Sequence, residues 1–97
     1  MAPCNVFTGD MLVAPMHVSI TDRALDYTGA RRIADERAGA LRNDPMLLAW
    51  WDGKENEFSP KVECCSDKKP GWLIYAESRG GDIVIDINNE EYVFIYR

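Results

Sequence analysis

Apolar and polar residues alternate most regularly in the last third of the chain, which predicts three consecutive β-strands. The predicted strands cover residues 72–78, 83–88 and 92–96, and the turn-forming segments RGGD and NNEE separate them. Gly80-Gly81 fits a two-residue hairpin loop, because glycine tolerates the positive φ angles of such a turn. We therefore expect Ser78 to lie opposite Ile83.

The predicted register places the large apolar residues of both hairpins on one face of the sheet. In the second hairpin the expected pairs are Ile83 with Tyr96, Ile85 with Phe94 and Ile87 with Tyr92. The predicted core on this face consists of Trp72, Ile74, Ala76, Ile83, Ile85, Ile87, Tyr92, Phe94 and Tyr96.

The opposite face of this sheet is too apolar for an ordinary solvated face. Its predicted residues are Leu73, Tyr75, Glu77, Val84, Asp86, Val93 and Ile95. We expect the N-terminal arm, one of the two tryptophans at positions 50 and 51, a second copy of the chain or a ligand to cover it. The candidates for a binding face are therefore Trp51, Leu73, Tyr75, Glu77, Arg79, Asp86, Val93 and Ile95.

The first half of the chain predicts a short strand and one long helix. Residues 16–20 alternate as in a half-buried strand, and residues 1–10 predict a loosely ordered arm. Thr21 and Asp22 are suited to cap a helix that runs to about Asn43. Its expected buried stripe is Tyr27, Ala30, Ile33, Ala34, Ala38 and Leu41.

Two interpretations fit residues 44–52. Asp44 as N-cap, with Pro45 at the first helical position, would suit a short helix. The alternation of Leu47, Ala49 and Trp51 with their neighbours favours a strand instead. With the strand interpretation, the whole chain of 97 residues predicts a single α+β domain. It would have a mostly antiparallel sheet of four or five strands, with one long helix on one face.

The composition argues against several classes of function. The net charge is −5, and its excess lies after Asn43, because the preceding segment balances five acids with five bases. An acidic chain argues against nucleic-acid binding, which depends on neutralising phosphates. No apolar run reaches the roughly 20 residues of a membrane span, and the first residues lack the pattern of a signal peptide. We therefore expect a cytoplasmic protein with reduced thiols, no cofactor and no membrane association.

Three groups of residues are candidates for chemistry. The adjacent Cys64 and Cys65 could form a thiol redox site, although Glu63 and Asp67 oppose the effect of the neighbouring lysines on the thiolate. Cys4 and His17 are the other soft metal ligands, but no recognised metal spacing joins these four residues. His17 alone is weak evidence for a catalyst.

Glu77 and Asp86 form the third group. On the predicted register they lie close together on the apolar second face, where a carboxyl group would have a raised pKa suited to acid–base work. The alternative is that Arg79 or Arg97 pairs with them.

The segments LLAWWD, FSPKVECC, PGWLIYAESRGGDIVIDIN and YVFIYR, within Leu47 to Arg97, carry a resemblance to known sequences. They resemble a small family of uncharacterised prokaryotic proteins, a domain of unknown function. The resemblance implies no catalytic residue, and it directs attention to the ECC and AESRGGD segments. From the residues we favour a non-enzymatic module that binds a protein partner, or a second copy, through the second face. The alternatives are a thiol redox or metal-binding protein that uses Cys64 and Cys65, and an acid–base enzyme that uses Glu77 and Asp86.

Overall fold

A computed structural model describes residues 7–61 and 69–97. Five strands and two α-helices lie within them, together with a 3₁₀ turn at Gly9–Met11. The strands are β1 (Met16–Val18), β2 (Leu47–Asp52), β3 (Glu57–Ser59), β4 (Ile83–Ile87) and β5 (Tyr92–Tyr96). The helices are α1 (Tyr27–Leu41) and α2 (Gly71–Ser78).

The five strands form one mixed sheet in the order β1-β4-β5-β2-β3. Only the β1–β4 pair is parallel, so the sheet is mostly antiparallel, as the α+β prediction stated. The strand interpretation of residues 47–52 is confirmed, and the β4–β5 register is confirmed pair by pair. The β4–β5 pairs are Ile83 with Tyr96, Val84 with Ile95, Ile85 with Phe94, Asp86 with Val93 and Ile87 with Tyr92.

Helix α1 covers one face of this sheet, as predicted. Ala30, Ala34 and Ala38 are completely buried against the alternate residues of β4 and β5. Small side chains let the helix backbone approach the sheet closely, while the larger strand side chains fill the space between them. Two details of the prediction are wrong: Leu41 is exposed, and the helix begins at Tyr27.

The start of α1 is set by its N-cap. Asp26, in extended conformation, accepts a hydrogen bond from the backbone N–H of Gly29 at 2.9 Å. This satisfies one of the otherwise unpaired N–H groups of the first turn. The carboxylate of Asp22 instead accepts from the N–H of Ala24, within the preceding turn. The predicted cap at Thr21 and Asp22 is therefore wrong by about one helical turn.

The predicted strand at 72–78 is also wrong, because these residues form α2. Trp72, Leu73 and Ala76 are buried, and their spacing of one and four residues defines a helical face. Trp72, Ile74 and Ala76 alternate with their neighbours as in a strand. Trp72 and Ala76 are also four residues apart, however, which places them on one face of a helix. Pro70 precedes the first turn, where its missing N–H has no intrahelical partner to lose.

Gly80 and Gly81 end α2 and do not form a hairpin loop. The N–H of Gly81 binds the carbonyl of Ala76 at 2.9 Å, and that of Gly80 binds Glu77 at 3.2 Å. This pair of bonds is a Schellman motif, which requires a left-handed residue such as Gly80 with its φ of +82°. A Cβ at Gly81 would lie 2.7 Å from the Cγ2 of Ile95, so the helix end also packs tightly on β5.

Helix α2 and the segment from Phe7 to Leu12 cover the second face of the sheet. The buried residues in this layer are Leu12, Ala49, Trp72, Leu73, Ala76, Val84, Val93 and Ile95. Phe7 packs against the rings of Trp51 and Trp72, with centroid separations of 5.5 and 5.0 Å. The unusually apolar second face is thus explained by coverage from within the chain. The N-terminal arm and a tryptophan take part as expected, and α2 was not foreseen.

Helices long and apolar enough to cross a membrane do not occur within residues 7–61 and 69–97.

Candidate functional site: a buried carboxylate beside an exposed histidine

Asp86 lies in the middle of β4, and its side chain is 0% exposed. Its Oδ1 accepts a hydrogen bond from the backbone N–H of Glu90 at 2.6 Å. Its Oδ2 has no hydrogen-bond partner among the described residues. Because a buried ionised carboxylate is costly unless it is paired, such an atom in a native fold points to proton exchange or to a ligand.

His17 lies beside this unpartnered oxygen. The parallel β1–β4 register places His17 opposite Asp86, and the His17 Nδ1 lies 3.4 Å from the Asp86 Oδ2. The alignment falls short of a hydrogen bond. Strand β1 is an edge strand, and the His17 side chain is 63% exposed. The imidazole therefore connects a buried carboxylate with the solvent.

Glu90 completes the cluster from the turn between β4 and β5. Asn88, Asn89 and Glu90 all have positive φ angles, of 55°, 52° and 66°. Asparagine tolerates this conformation, whereas glutamate adopts it much less often. The Asp86 Oδ1 and the Trp51 Nε1, which donates to the Glu90 carbonyl at 3.2 Å, hold the backbone of Glu90 there. A glutamate held in an uncommon conformation against a buried aspartate suggests a functional position.

The pKa of Glu90 is raised from 4.5 to about 7. The main cause is its side-chain hydrogen bond with Asp86, followed by partial burial and by the negative charge of Asp86. Asp10 acts in the same direction, and His17 opposes them. When Glu90 is protonated it can donate to Asp86, whereas two ionised carboxylates in this position would repel each other. The arrangement therefore favours the protonated form of the Glu90 carboxyl beside Asp86.

The acid–base hypothesis placed Asp86 correctly on a buried face but paired it with the wrong glutamate. Glu77 lies on the exposed side of α2, and its carboxylate binds Lys69 at 2.7 Å. The pairing failed because residues 72–78 form a helix, so Tyr75 and Glu77 are not strand neighbours of Asp86. Arg79 packs over the ring of Tyr75, with its guanidinium carbon 3.9 Å from the ring centroid.

Four of the predicted binding-face residues are buried: Asp86, described above, and Leu73, Val93 and Ile95, which lie in the layer between α2 and the sheet. Trp51 is half-buried and lies in the aromatic cluster with Trp72, Phe7 and Phe58. Tyr75, Glu77 and Arg79 remain on the outer side of α2.

The three cysteines, Cys4, Cys64 and Cys65, lie outside the described residues, so the thiol hypothesis remains a sequence-based prediction. In the described part of the chain, no three histidine, aspartate or glutamate side chains are arranged to hold a metal ion.

Sequence reasoning missed the role of Glu90 and the position of His17. The approach of His17 to Asp86 depends on a parallel pairing between residues 69 positions apart, which no local pattern reveals. The clue to Glu90 was the NNEE turn itself. A polar turn that directly follows an aspartate within an apolar strand can fold back onto that aspartate.

Comparison with known proteins gives a consistent picture. An uncharacterised protein of Archaeoglobus fulgidus is 37% identical over 51 residues, which are 53% of this chain and 54% of that protein. The match therefore spans about half the length of this relative. A crystal structure of a novel protein from the same organism superposes with a TM-score of 0.70 and 27% identity. That comparison covers 89% of this chain and 94% of the other.

The family model described as a domain of unknown function, DUF5619, matches residues 13–96. This range contains both helices, all five strands and the three side chains of the cluster. The resemblance expected from the sequence is confirmed, and the chain belongs to the DUF5619 family of uncharacterised proteins.

Proposed function

We propose that the protein carries out acid–base chemistry, in which His17 exchanges a proton with a small ligand at the β1 edge. The observation that carries this proposal is the unpartnered Oδ2 of the fully buried Asp86, which lies 3.4 Å from the His17 Nδ1. A buried carboxylate beside one imidazole nitrogen favours the tautomer in which that nitrogen carries the proton. The Nε2 lone pair then faces the solvent and is available as a general base.

Glu90 has a different role in this proposal. Its carboxyl lies beside Asp86 and supplies the proton that keeps the buried pair from carrying two charges. Asp86 acts as a positioning residue for His17, and the protonated Glu90 carboxyl donates to Asp86. The ligand would accept a proton from His17 or donate one to it, as in general acid–base catalysis.

The tautomer of His17 tests this arrangement, and the chain contains no other histidine to obscure the signal. At alkaline pH we expect the nitrogen NMR spectrum of the native protein to show the proton on Nδ1. In Asp86→Asn the Oδ1 should still accept from the Glu90 N–H, which turns the new amide NH₂ toward His17. Since that amide donates to Nδ1, the imidazole proton should move to Nε2.

Chemical reactivity gives a second measurement. Diethyl pyrocarbonate acylates the unprotonated imidazole nitrogen, so the native His17 should react readily at Nε2. In Asp86→Asn we expect the rate to fall by about tenfold, because the free lone pair then faces the buried amide. Asp82→Asn is the matched control, because Asp82 is exposed and pairs with Arg42 at 2.6 Å. A native Nε2 proton, together with equal reaction rates in Asp86→Asn and the control, would contradict the proposal.

A second proposal keeps the partner-binding hypothesis but moves it to the outer side of α2. Tyr75 and Arg79, stacked on each other, are of the types enriched at binding hot spots. If a second copy binds there, Tyr75→Ala should weaken self-association about tenfold or more in sedimentation equilibrium, with an unchanged circular dichroism spectrum. Glu57→Ala, at an exposed position of the edge strand β3, is the control. A native protein that sediments as a monomer at all concentrations would exclude self-association through this surface.

A further inference from the structure

The 3₁₀ turn at Gly9–Met11 lies directly on the Glu90 carboxyl. A Cβ added to Gly9 would lie 2.5 Å from the Cδ and Oε2 of Glu90 and 2.7 Å from its Oε1. A Cβ at this position would force the flexible end of the Glu90 side chain aside, so the contact as it stands depends on glycine at position 9. The turn therefore packs against the carboxyl group that pairs with Asp86.

The turn is attached to the fold on both sides of this contact. Before it, Phe7 packs against Trp51 and Trp72; after it, Leu12 is buried in the same apolar layer. Within the turn, the N–H groups of Met11 and Leu12 bind the carbonyls of Thr8 and Gly9, each at 3.1 Å. Between its two apolar anchors the turn rests on the Glu90 carboxyl, so the position of this carboxyl affects the turn.

We propose that the Gly9 turn is a cover over the Asp86–Glu90 pair, and that it opens when the Glu90 carboxyl loses its proton. The inference rests on the proposed function, because opening would admit the ligand of His17 to the buried carboxylate. It goes beyond that function by identifying the turn as a cover, Gly9 as the residue that lets the turn pack closely, and ionisation of Glu90 as the event that opens it.

The charges around Glu90 determine the direction of the change. Asp86 faces it from β4, Asp10 from the turn and His17 from β1. The neighbouring Glu91 is engaged elsewhere, with the Asn88 amide at 3.0 Å and the Lys54 Nζ at 3.8 Å. An ionised Glu90 would thus face two carboxylates and one imidazole. Repulsion would move its carboxyl away from Asp86 and remove the surface on which Gly9 rests.

The raised pKa of Glu90 agrees with this geometry, because the closed arrangement favours the protonated carboxyl. If opening returns the carboxyl to the solvent, the difference between its pKa in the closed form and in the open form determines how strongly the ratio of open to closed forms changes with pH.

Solvent exchange of the Met11 and Leu12 amides measures the opening directly. The rates are read by NMR on the full chain at about pH 5.5 and about pH 8.5 and corrected for the intrinsic effect of pH. Protection should fall by at least about tenfold at the higher pH, since the pKa of Glu90 is raised from 4.5 to about 7 in the closed form. The amide of Phe94, in the core strand β5, should change much less.

Two variants should hold the cover in one state at both pH values, one closed and the other open. Glu90→Gln cannot ionise, so protection should stay high at both pH values. Gly9→Ala places a methyl group against the Glu90 carboxyl, so protection should be low at both. Gly39→Ala is the matched control, because nothing lies within 4 Å of a Cβ at that position of α1. If Gly9→Ala fails to fold, the comparison of native protein with Glu90→Gln decides the question alone.

Equal protection of the native protein at both pH values would overturn the inference, as would unchanged pH dependence in Glu90→Gln. Neither result bears on the His17 tautomer, which is measured at one pH in the native protein and in Asp86→Asn. If the cover does not open with pH but the His17 proton lies on Nδ1, the proposed function still stands. An open–close transition with the proton on Nε2 would instead leave a conformational switch without the acid–base role.

Discussion

Replacing Trp72 with alanine should lower the free energy of unfolding by about 3–5 kcal/mol, the range for deleting a large aromatic side chain from a packed core. Trp72 is 1% exposed and lies between α2 and the second face of the sheet. Its ring also contacts those of Phe7 and Trp51, so the substitution would loosen three elements together. Chemical denaturation followed by circular dichroism measures the change.

Tyr75→Ala is the control for this prediction. Tyr75 lies on the same helix but is only partly buried, so its loss should lower the free energy of unfolding by about 1 kcal/mol or less. On a strand, positions 72 and 75 would face opposite sides of the sheet, each against a neighbouring layer. Similar losses for Trp72→Ala and Tyr75→Ala would therefore contradict the assignment of α2.

The second large effect is a loss of stability as the pH rises through the range in which Glu90 titrates. Folding raises the pKa of Glu90 from 4.5 to about 7, so the folded state binds its proton more tightly than the unfolded state. The stabilising contribution is complete below about pH 4.5 and disappears as the pH approaches and passes about 7. We expect about 1–2 kcal/mol, less than the full shift would give, because the carboxyl is only partly buried.

The comparison with Glu90→Gln isolates this contribution from those of the other carboxylates. Ion-paired carboxylates such as Asp82 have a lowered pKa and act in the opposite direction, and both proteins contain them. The difference in unfolding free energy between native protein and Glu90→Gln should therefore change with pH only over the Glu90 window. A constant difference between about pH 4 and about pH 8 would show that Glu90 titrates normally.

Local patterns predicted the central part of the fold. The β4–β5 register follows from alternation on both sides of a short turn, and the alanines of α1 repeat at a helical period. In both cases the decisive contacts join residues close in sequence or repeat along one element. The single α+β domain with a long helix on one face follows from the same features.

Residues 72–78 show where such reasoning fails. Isoleucine and tyrosine at 74 and 75 favour a strand, and the period of two is easily read from Trp72, Ile74 and Ala76. Packing on the second face of the sheet and the Schellman motif at Gly80 and Gly81 outweigh these preferences. The same glycine pair is compatible with a hairpin loop and with a helix end, so its meaning depends on the tertiary structure.

The candidate site was only partly predictable for a related reason. Asp86 is visible from the sequence as the one charged residue within the apolar strand β4. Its neighbours are not visible, because His17 arrives through long-range parallel pairing and Glu90 through a turn with three positive φ angles. A carboxylate within a buried strand therefore identifies the site, while the fold alone identifies its partners.

The titration of the Glu90 side chain by carbon NMR, in the native protein and in Asp86→Asn, tests the interaction between Glu90 and Asp86 most directly. We predict an apparent pKa near 7 in the native protein, which falls toward the ordinary value of 4.5 in Asp86→Asn once the neighbouring charge is removed. A native Glu90 that already titrates near its ordinary value, and does so unchanged in Asp86→Asn, would contradict the account.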